Sequence, residues 1–405
     1  MNVIRLDELG PPVPVRLAPE QARRLMESGV AEVVPDPYAS GLWMVRPAGQ
    51  VGVARVGDVE VWVRPKVRIE RLLFLLGYAI DPRGWRDDTV ALSAAEDLIP
   101  AVAQALWRQG EHAVRRGLLQ DYRVHEDSAP VLRGRLRESE QLRRHHGLPI
   151  PLEVRYDEFT VDIPENRLLR TAAERMLRVP RVDGESRRRL RHLLSRFVGV
   201  SPLVPGRPLP AWAPTRLNQR YHTALRLAEI VLRGASFEEA PGRIIANGFL
   251  FDMAKVFEDF ATVALAEALR RHGGRARPQD HHHLDVRGRV RMRPDLVWYM
   301  AGHPQAVVDA KYKAERPSGF PDADLYQMLA YCTALGLLRG HLVYAKGNED
   351  AARHEVRNVG IEIICHALDL DQAPGGLLAD VGGVAVDVAA VAATLPRRAS
   401  PGRSC

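Results

Sequence analysis

Apolar and polar residues alternate along the chain from Gly41 to Val67, as they do in strands that have one buried face. The centre of this stretch reads "VGVARVGDVEVWVRPKV" (51–67), in which Gly57 and Asp58 favour a tight turn between two strands. The pattern therefore predicts a β-rich segment with a hairpin near the amino terminus.

The middle of the chain has a different periodicity, because its apolar residues recur every three or four positions, as in packed helices. The segments with this spacing are "RIERLLFLLGYAI" (68–80), "SAAEDLIPAVAQALWRQGEHAVRRGLLQDY" (93–122), "NRLLRTAAERMLR" (166–178), the arginine-rich "RRRLRHLLSRF" (187–197) and "YHTALRLAEIVLRG" (221–234). A proline-rich connector at 200–214 separates the last two. We expect a largely helical middle region.

The last part of the chain mixes both periodicities. Helices are predicted at "FLFDMAKVFEDFATVALAEALRRHGG" (249–274) and "DADLYQMLAYCTALGL" (322–337), and strands at "DLVWYM" (295–300), "QAVVDAKY" (305–312), "RGHLVYAKG" (339–347) and "VGIEIICHAL" (359–368). Strands that alternate with helices in this way indicate an α/β fold.

These patterns divide the chain into four parts. Residues 1–125 are predicted to form a β-rich N-terminal domain with a helical extension, and residues 126–240 the helical middle region. Residues 241–370 are predicted to form the α/β domain. Beyond them, residues 371–405 are rich in Ala, Gly, Val and Pro and are predicted to be a flexible tail.

Two carboxylates and a lysine interrupt the apolar hairpin predicted at 295–312. Side chains alternate along a strand, so Asp309 and Lys311 share one face. If the turn centres on Gly302 and His303, Asp295 falls opposite Asp309 or Ala310, where cross-strand neighbours lie roughly 5 Å apart. The two carboxylates and the ammonium group are therefore expected to converge.

Such a convergence favours a divalent cation, because two nearby carboxylates repel each other unless positive charge lies between them. Mg²⁺ prefers oxygen ligands of this kind, and a lysine beside it can stabilise charge on a phosphate. We therefore predict a phosphodiesterase site. The alternative is structural: Asp295 caps a turn, and Asp309 forms an ion pair with Lys311 on a solvated strand face.

Three residues on predicted helices are further candidates. Glu258 is placed to complete the metal shell, although it is equally suited to an ion pair with Lys255 three residues away. Gln327 and Tyr331 are four residues apart and share a helix face, where they can position the lysine or contact the DNA backbone. A core position is the alternative for Tyr331.

Charge and composition refine this interpretation. The net charge of +7 suits a polyanionic partner, and the arginine-rich segment supplies Arg187, Arg188, Arg189 and Arg191 as candidate phosphate contacts or as a solvated helix face. The three cysteines have no zinc or disulfide spacing, which indicates a reducing compartment. No signal peptide or long apolar segment is evident, so we expect a soluble cytoplasmic protein without membrane contact.

Four motifs in order resemble one known family. "MAKVFEDF", "RPDLVW", "VVDAKYK" and "DLYQMLAYCTAL" resemble the PD-(D/E)XK nuclease domain, in particular its version in McrC, the nuclease subunit of 5-methylcytosine-specific restriction systems. Upstream, "VWVRPKVRIERLLFLLGYA", "VLRGRL" and "DEFTVDIPENRLLRTAA" resemble the same family in the same order. The resemblance covers about Val51 to Leu368, and it implies a mixed sheet flanked by helices at 241–370.

The resemblance also implies roles for individual residues. Asp295, Asp309 and Glu258 match metal-binding positions, Lys311 matches the catalytic lysine, and Gln327 with Tyr331 matches the Q-x-x-x-Y motif of the RecB-like branch. The implied cofactor is Mg²⁺ or Mn²⁺, and the implied substrate is double-stranded, modified DNA.

The resemblance further implies an AAA+ GTPase partner of the McrB type, in contact with the β-rich N-terminal segment. The chain itself has no G-x-x-x-x-G-K-[ST] phosphate loop. Two other functions stay open: a non-catalytic adaptor that stimulates the GTPase, and a stand-alone RecB-like DNA repair nuclease.

Overall fold

The computed structural model describes residues 2–82, 98–146, 148, 150–234, 246–312, 322–345 and 352–390. The chain forms two compact units. The first combines residues 1–96, 242–246 and 250–405, and the second combines residues 97–241 and 247–249. The N-terminal and C-terminal parts of the chain thus share a unit, and the helix that was expected to extend the N-terminal domain up to residue 125 lies in the other one.

The N-terminal part of the first unit is β-rich, as predicted. Its elements are β1 (Asn2–Asp7), β2 (Val13–Arg16), α1 (Pro19–Ser28), β3 (Ala31–Pro35), β4 (Leu42–Pro47), β5 (Gln50–Val56), β6 (Val59–Arg64) and α2 (Ile69–Ile80). Strands β2, β4 and β3 form one antiparallel sheet, while β1 runs parallel to β6 in another. The predicted hairpin of β5 and β6 is confirmed, and Gly57 supplies the positive φ of 62° in its turn.

The second unit contains helices and one small sheet. Its elements are α3 (Leu98–Val114), β7 (Asp121–Ala129), β8 (Arg135–Leu136), α4 (Glu138–His145), β9 (Leu152–Thr160), α5 (Pro164–Arg178), α6 (Gly184–Ser195), a 3₁₀ turn (Gln219–Tyr221) and α7 (His222–Arg233). Helices α3, α5, α6 and α7 bury their apolar faces together, which confirms the helical periodicity.

Strands β7 and β9 contradict the expectation of a largely helical region. They pair antiparallel from Asp121 opposite Thr160 to Ala129 opposite Leu152. Most of their side chains are exposed or half-buried, and the sequence offers only the short apolar repeat of Leu152, Val154 and Tyr156 in β9 as a signal for a strand. The pairing of the two strands with each other, rather than burial of one face, holds this sheet together.

The C-terminal part of the first unit has an α/β architecture. Its elements are β10 (Ala246–Asp252), α8 (Met253–Leu269), a 3₁₀ turn (Arg270–His272), β11 (Arg275–Pro278), β12 (His282–His283), β13 (Arg291–Met292), β14 (Leu296–Met300), β15 (His303–Lys311), α9 (Asp322–Leu335), β16 (Arg339–Ala345), β17 (Ala352–Val356), β18 (Ile361–Leu368) and α10 (Pro374–Ala390).

Six of these strands form a mixed sheet in the order β11-β14-β15-β16-β18-β17. Strands β15, β16 and β18 are parallel at its centre, and the other pairings are antiparallel. Strand β10, whose residues 246 and 250–252 belong to the first unit, is the edge strand of the sheet that also contains β1, β6 and β5.

Helix α8 begins later than the apolar pattern predicts. The carboxylate of Asp252 accepts a hydrogen bond from the Lys255 backbone N–H at 3.1 Å, which caps the helix at this point. The preceding residues Phe249, Leu250 and Phe251 are in β10 instead. Their bulky apolar side chains fit the buried strand as well as they fit a helix, so periodicity alone did not separate the two.

The prediction of a flexible tail is wrong for Pro374–Ala390, which form α10. Five apolar side chains of this helix are buried, and the helix packs against α8. Its Gly and Val residues have a low or moderate helix propensity, and packing overrides that preference. Residues 391–405 lie outside the described residues. Within the described parts of the chain, no helix has the length and apolar character that a membrane span requires.

Candidate functional site

The hairpin of β14 and β15 has its turn one residue earlier than predicted. Ala301 and Gly302 occupy the turn with φ of 50° and 82°, and Met300 pairs with His303. A bulge between Trp298 and Tyr299 then shifts the register, so that Leu296 lies opposite Val308. The bulge compensates for the earlier turn and brings Asp295 to Asp309.

Asp295 and Asp309 form a carboxylate pair in which Asp309 is buried and Asp295 is half-buried. Asp295 Oδ2 accepts a hydrogen bond from the Ala310 backbone N–H at 2.8 Å, and Asp309 is only 2 % exposed. Burial and the negative charge of Asp309 raise the pKa of Asp295 to about 7. Burial also raises the pKa of Asp309, although the nearby Lys311 acts in the opposite direction. The predicted convergence of the two carboxylates is therefore present.

Lys311 is the last residue of β15, and its ammonium group forms an ion pair with the Asp309 carboxylate. Burial alone would lower the pKa of Lys311, but the carboxylates of Asp309, Asp295 and Asp324 outweigh it and raise that pKa. The lysine is therefore protonated near neutral pH and supplies a positive charge beside the carboxylate pair.

Helix α9 brings Gln327 and Tyr331 to the side of the carboxylate pair. Gln327 Nε2 donates a hydrogen bond to Tyr331 Oη at 2.8 Å, as expected for residues four apart on a helix. Burial, together with the charges of Asp309 and Asp295, raises the pKa of Tyr331 to about 12. Tyr331 also belongs to the hydrophobic core between α9 and the sheet, so the core alternative is present, and a role beside Lys311 or the DNA backbone stays a prediction.

Two residues at the site were missed in the sequence. Tyr344 on β16 is the register partner of Lys311, and its hydroxyl donates to Asp324 Oδ2 at 3.1 Å. Asp324 is only 4 % exposed. Its spacing of three from Gln327 and seven from Tyr331 places it on their helix face, and this signal could have identified it. Tyr344 had no comparable signal, because only the parallel pairing of β15 and β16 places it there.

Glu258 lies on α8 and is held by other side chains. Lys255 Nζ lies 2.9 Å from Glu258 Oε1, and Gln279 Nε2 donates to the same oxygen at 2.8 Å. The charge of Glu258 nevertheless helps to raise the pKa of Asp295, so the two carboxylates are near each other. The structural alternative, an ion pair with Lys255, is present.

The carboxylate pair fits a divalent cation in its donor chemistry. Two neighbouring aspartates with raised pKa values repel each other, and a cation between their oxygens relieves that repulsion. Among the described residues, no group of three or more His, Cys, Asp and Glu side chains is arranged to hold a metal. Asp295 and Asp309 therefore fit as ligands, while one oxygen of Glu258, Oε1, is already in contact with Lys255 and Gln279.

The four candidate arginines lie on α6 in the second unit and have unlike surroundings. Arg187 donates to the carbonyl oxygens of Leu177, Val179 and Val182 at distances of 2.7 to 3.0 Å, so it fixes the end of α5. Arg189 lies over the Trp107 ring at 5.3 Å. Arg188 and Arg191 are exposed. The structure thus gives Arg187 a structural role and leaves the other three at the surface.

Comparisons with known proteins agree with this architecture. The family model for the McrBC 5-methylcytosine restriction system component matches residues 45–345. No protein with a curated description matches the chain.

Two solved structures from Thermococcus gammatolerans match the chain. A chain of the refined half-complex from the tetradecameric assembly of Thermococcus gammatolerans McrB AAA+ hexamers with bound McrC is 18 % identical, with a TM-score of 0.58. That match covers 96 % of this chain and 100 % of the other. A chain of the Thermococcus gammatolerans McrBC complex is 21 % identical over 66 % of this chain and 88 % of the other, with a TM-score of 0.39.

The family match spans most of the chain, including β14, β15, α9 and β16, which together hold the carboxylate pair, Lys311 and their neighbours. The chain belongs to the McrBC 5-methylcytosine restriction system component family.

Proposed function

We propose that this chain is the Mg²⁺-dependent endonuclease subunit of a modification-dependent restriction system, and that it hydrolyses phosphodiester bonds of double-stranded DNA. The observation that carries the proposal is the carboxylate pair of Asp295 and Asp309 with Lys311 beside it at the end of β15. The assignment of this chain to the PD-(D/E)XK nucleases rests on the motifs in the sequence together with this arrangement.

The residues of the site have separate roles in this reaction. Asp295 and Asp309 would hold the cation, which would supply positive charge beside the scissile phosphate. Lys311 places an ammonium group where negative charge develops on the phosphate. Gln327 and Tyr331, joined by a hydrogen bond on α9, position Lys311 or contact the DNA backbone. Glu258 approaches the carboxylate pair as a third acidic group.

The proposed partner is an AAA+ GTPase of the McrB type. A solved structure with this fold is described as McrB AAA+ hexamers with bound McrC. The sequence contains no G-x-x-x-x-G-K-[ST] phosphate loop, and we assign nucleotide hydrolysis to this partner. We assign contact with that partner to the β-rich N-terminal residues and selection of modified DNA to the partner.

The first prediction tests the nuclease function directly. Asp309→Ala removes a cation ligand and the partner of Lys311, so we expect DNA cleavage to fall by at least about a hundredfold. Cleavage of methylated and unmethylated DNA is measured with Mg²⁺, with and without the GTPase partner and GTP. Asp322→Asn on the exposed start of α9 is the control and should cleave at the wild-type rate. Wild-type cleavage by Asp309→Ala would rule out this site.

A non-catalytic adaptor is the second candidate. The observation in its favour is that Lys311 already forms an ion pair with Asp309 and that Lys255 forms one with Glu258. An adaptor of this kind stimulates GTP hydrolysis by the partner equally well in wild type and Asp309→Ala, and neither protein nicks DNA with any divalent cation. The same cleavage assay, read together with GTP hydrolysis, therefore separates the two functions.

A further inference from the structure

A buried carboxylate in the N-terminal segment contacts the residue that follows Lys311. Glu8 lies directly after β1 and is only 5 % exposed. Its Oε2 accepts a hydrogen bond from the Lys66 backbone N–H at 2.8 Å, and its carboxylate also accepts one from the Tyr312 hydroxyl. Tyr312 comes immediately after Lys311 at the end of β15. The N-terminal segment is thus attached to the strand that carries the proposed catalytic lysine.

A second contact ties the same two parts of the unit together. The guanidinium group of Arg68 donates to the backbone carbonyl of Asp371 at 2.9 Å, just beyond the end of β18. Lys66 and Val67 line a small cleft whose other wall includes Tyr312 and Asp371. The loop between β6 and α2 therefore lies across the carboxyl ends of β15 and β18.

Tyr312 also reaches the helix that carries Glu258. Its ring lies 6.0 Å from that of Phe257, the residue before Glu258 on α8. One tyrosine is therefore adjacent in sequence to Lys311, packs on the helix of Glu258 and donates its hydroxyl to Glu8. The backbone of Tyr312 is joined directly to that of Lys311, so contacts that hold Tyr312 also restrain the end of β15.

A buried carboxylate is costly unless hydrogen bonds satisfy it, so the two donors to Glu8 favour one arrangement of the surrounding chain. Neither Glu8 nor Tyr312 touches the proposed cation ligands through a side-chain hydrogen bond in the described structure. Their effect on the reaction must therefore be indirect.

We propose that Glu8 is a positioning residue for Lys311 and acts through the hydroxyl of Tyr312. The proposal rests on the proposed nuclease function and adds a means of regulating it. Glu8 belongs to the N-terminal segment. Displacement of that segment by a partner therefore changes the placement of Lys311, while the proposed cation ligands stay in place. The hydrogen bond between Glu8 and Tyr312 therefore controls the rate of cleavage and not the binding of DNA or cation.

The test compares variants that break the link with variants that preserve it. Glu8→Ala and Tyr312→Phe each remove one side of the hydrogen bond, and each should lower kcat by roughly tenfold with an unchanged KM for DNA. Glu8→Gln keeps an oxygen acceptor for the tyrosine and should restore kcat to within about threefold of wild type. The double variant Glu8→Ala/Tyr312→Phe should cleave no more slowly than the slower single variant.

Matched controls come from neighbouring exposed residues. Asp7→Asn removes a surface carboxylate one residue from Glu8, and Tyr326→Phe removes a hydroxyl from a side chain that is 70 % exposed. Both should leave kcat at the wild-type value. Binding of Mg²⁺ measured by calorimetry should be the same in every variant, because no cation ligand is changed.

Amide hydrogen exchange supplies a measurement that needs no catalysis. Exchange at residues 307–312 should be faster in Glu8→Ala and Tyr312→Phe than in wild type, and unchanged in the controls. Wild-type kcat and exchange in both variants would overturn the proposal, as would losses in kcat that multiply in the double variant. If the wild-type protein cuts no DNA, the nuclease function fails, while the exchange data still decide whether Glu8 holds this strand.

Discussion

At the scale of single residues, the carboxylate of Asp295 has the most unusual environment in the site. It lies beside Asp309 and near Glu258, and one backbone N–H donates to it. Lys311 compensates mainly for Asp309, with which it forms the ion pair. The site therefore has an excess of buried negative charge when no cation is bound, and this excess depends on pH.

The second prediction concerns how the charge of Asp295 makes the stability of the protein depend on pH. With a pKa of about 7, folded Asp295 retains a proton that the unfolded chain, with a pKa near 3.8, has already released. Rising pH between these values therefore lowers the free energy of unfolding, by at most about 1.4 kcal/mol per pH unit. Asp295→Asn should lack this contribution.

Denaturant unfolding at pH 5 and pH 8 without divalent cation measures the effect. Wild type should lose more stability than Asp295→Asn between these pH values, and Mg²⁺ should restore part of it at pH 8 in wild type only. An equal pH response of the two proteins would contradict the raised pKa of Asp295.

At the scale of elements, the close packing of α9 on β16 decides where three of the site residues lie. Gly340 on β16 has no Cβ, and a Cβ there would lie 2.5 Å from Met328 Sδ and 2.6 Å from Cys332 Sγ of the helix. Met328 and Cys332 are fully buried in the core between helix and sheet. The helix that presents Asp324, Gln327 and Tyr331 can therefore approach the sheet only because position 340 is glycine.

We predict that Gly340→Ala displaces α9. The added methyl group overpacks the core, so the free energy of unfolding should fall by about 1–3 kcal/mol. DNA cleavage should decrease as well, because Gln327 and Tyr331 move with the helix. Chemical denaturation and the cleavage assay measure the two effects.

Gly382→Ala on α10 is the matched control, because a Cβ at that position meets no atom within 4 Å. It should leave cleavage unchanged and raise stability slightly, as Gly to Ala does within a helix. If Gly340→Ala were as stable as wild type, α9 and β16 would have to pack less closely than the structure shows.

At the scale of the whole molecule, the first unit is assembled from both ends of the chain. Residues 1–96 and 250–405 share it, and α10 from the C-terminal part packs on α8. The five buried side chains of α10 thus cover the helix that carries Glu258. Loss of this cover should affect the stability of the unit even though α10 has no residue at the site.

The prediction for α10 compares two valines on the same helix. Val381 is 1 % exposed and Val386 is 54 % exposed. Val381→Asp places an unpaired charge in the core and should lower the free energy of unfolding by about 3 kcal/mol or more. Val386→Asp should change it by less than about 0.5 kcal/mol. Thermal unfolding measures the stability of both variants. Equal stability of the two would contradict the packing of α10.

Local patterns in the sequence were sufficient for a large part of the architecture. The hairpins of β5–β6 and β14–β15 and the helices α2, α5, α7 and α9 follow from turn residues and periodicity, which act within a few positions. The pairing of Asp309 with Lys311 and of Gln327 with Tyr331 also follows from such spacings. These features are local, so the types and spacing of neighbouring residues determine them.

Contacts between distant parts of the chain decided the remainder. The strands β7 and β9, the packing of α10, the anchoring role of Arg187, and the places of Tyr344 and Glu8 depend on neighbours that are far away in sequence. Hydrogen-bond partners and burial at these positions exist only once the sheets and helices have assembled. The sequence by itself thus predicted which residues are candidates for the chemistry, and the tertiary structure decided what surrounds them, because burial and electrostatic interactions arise only when distant segments meet.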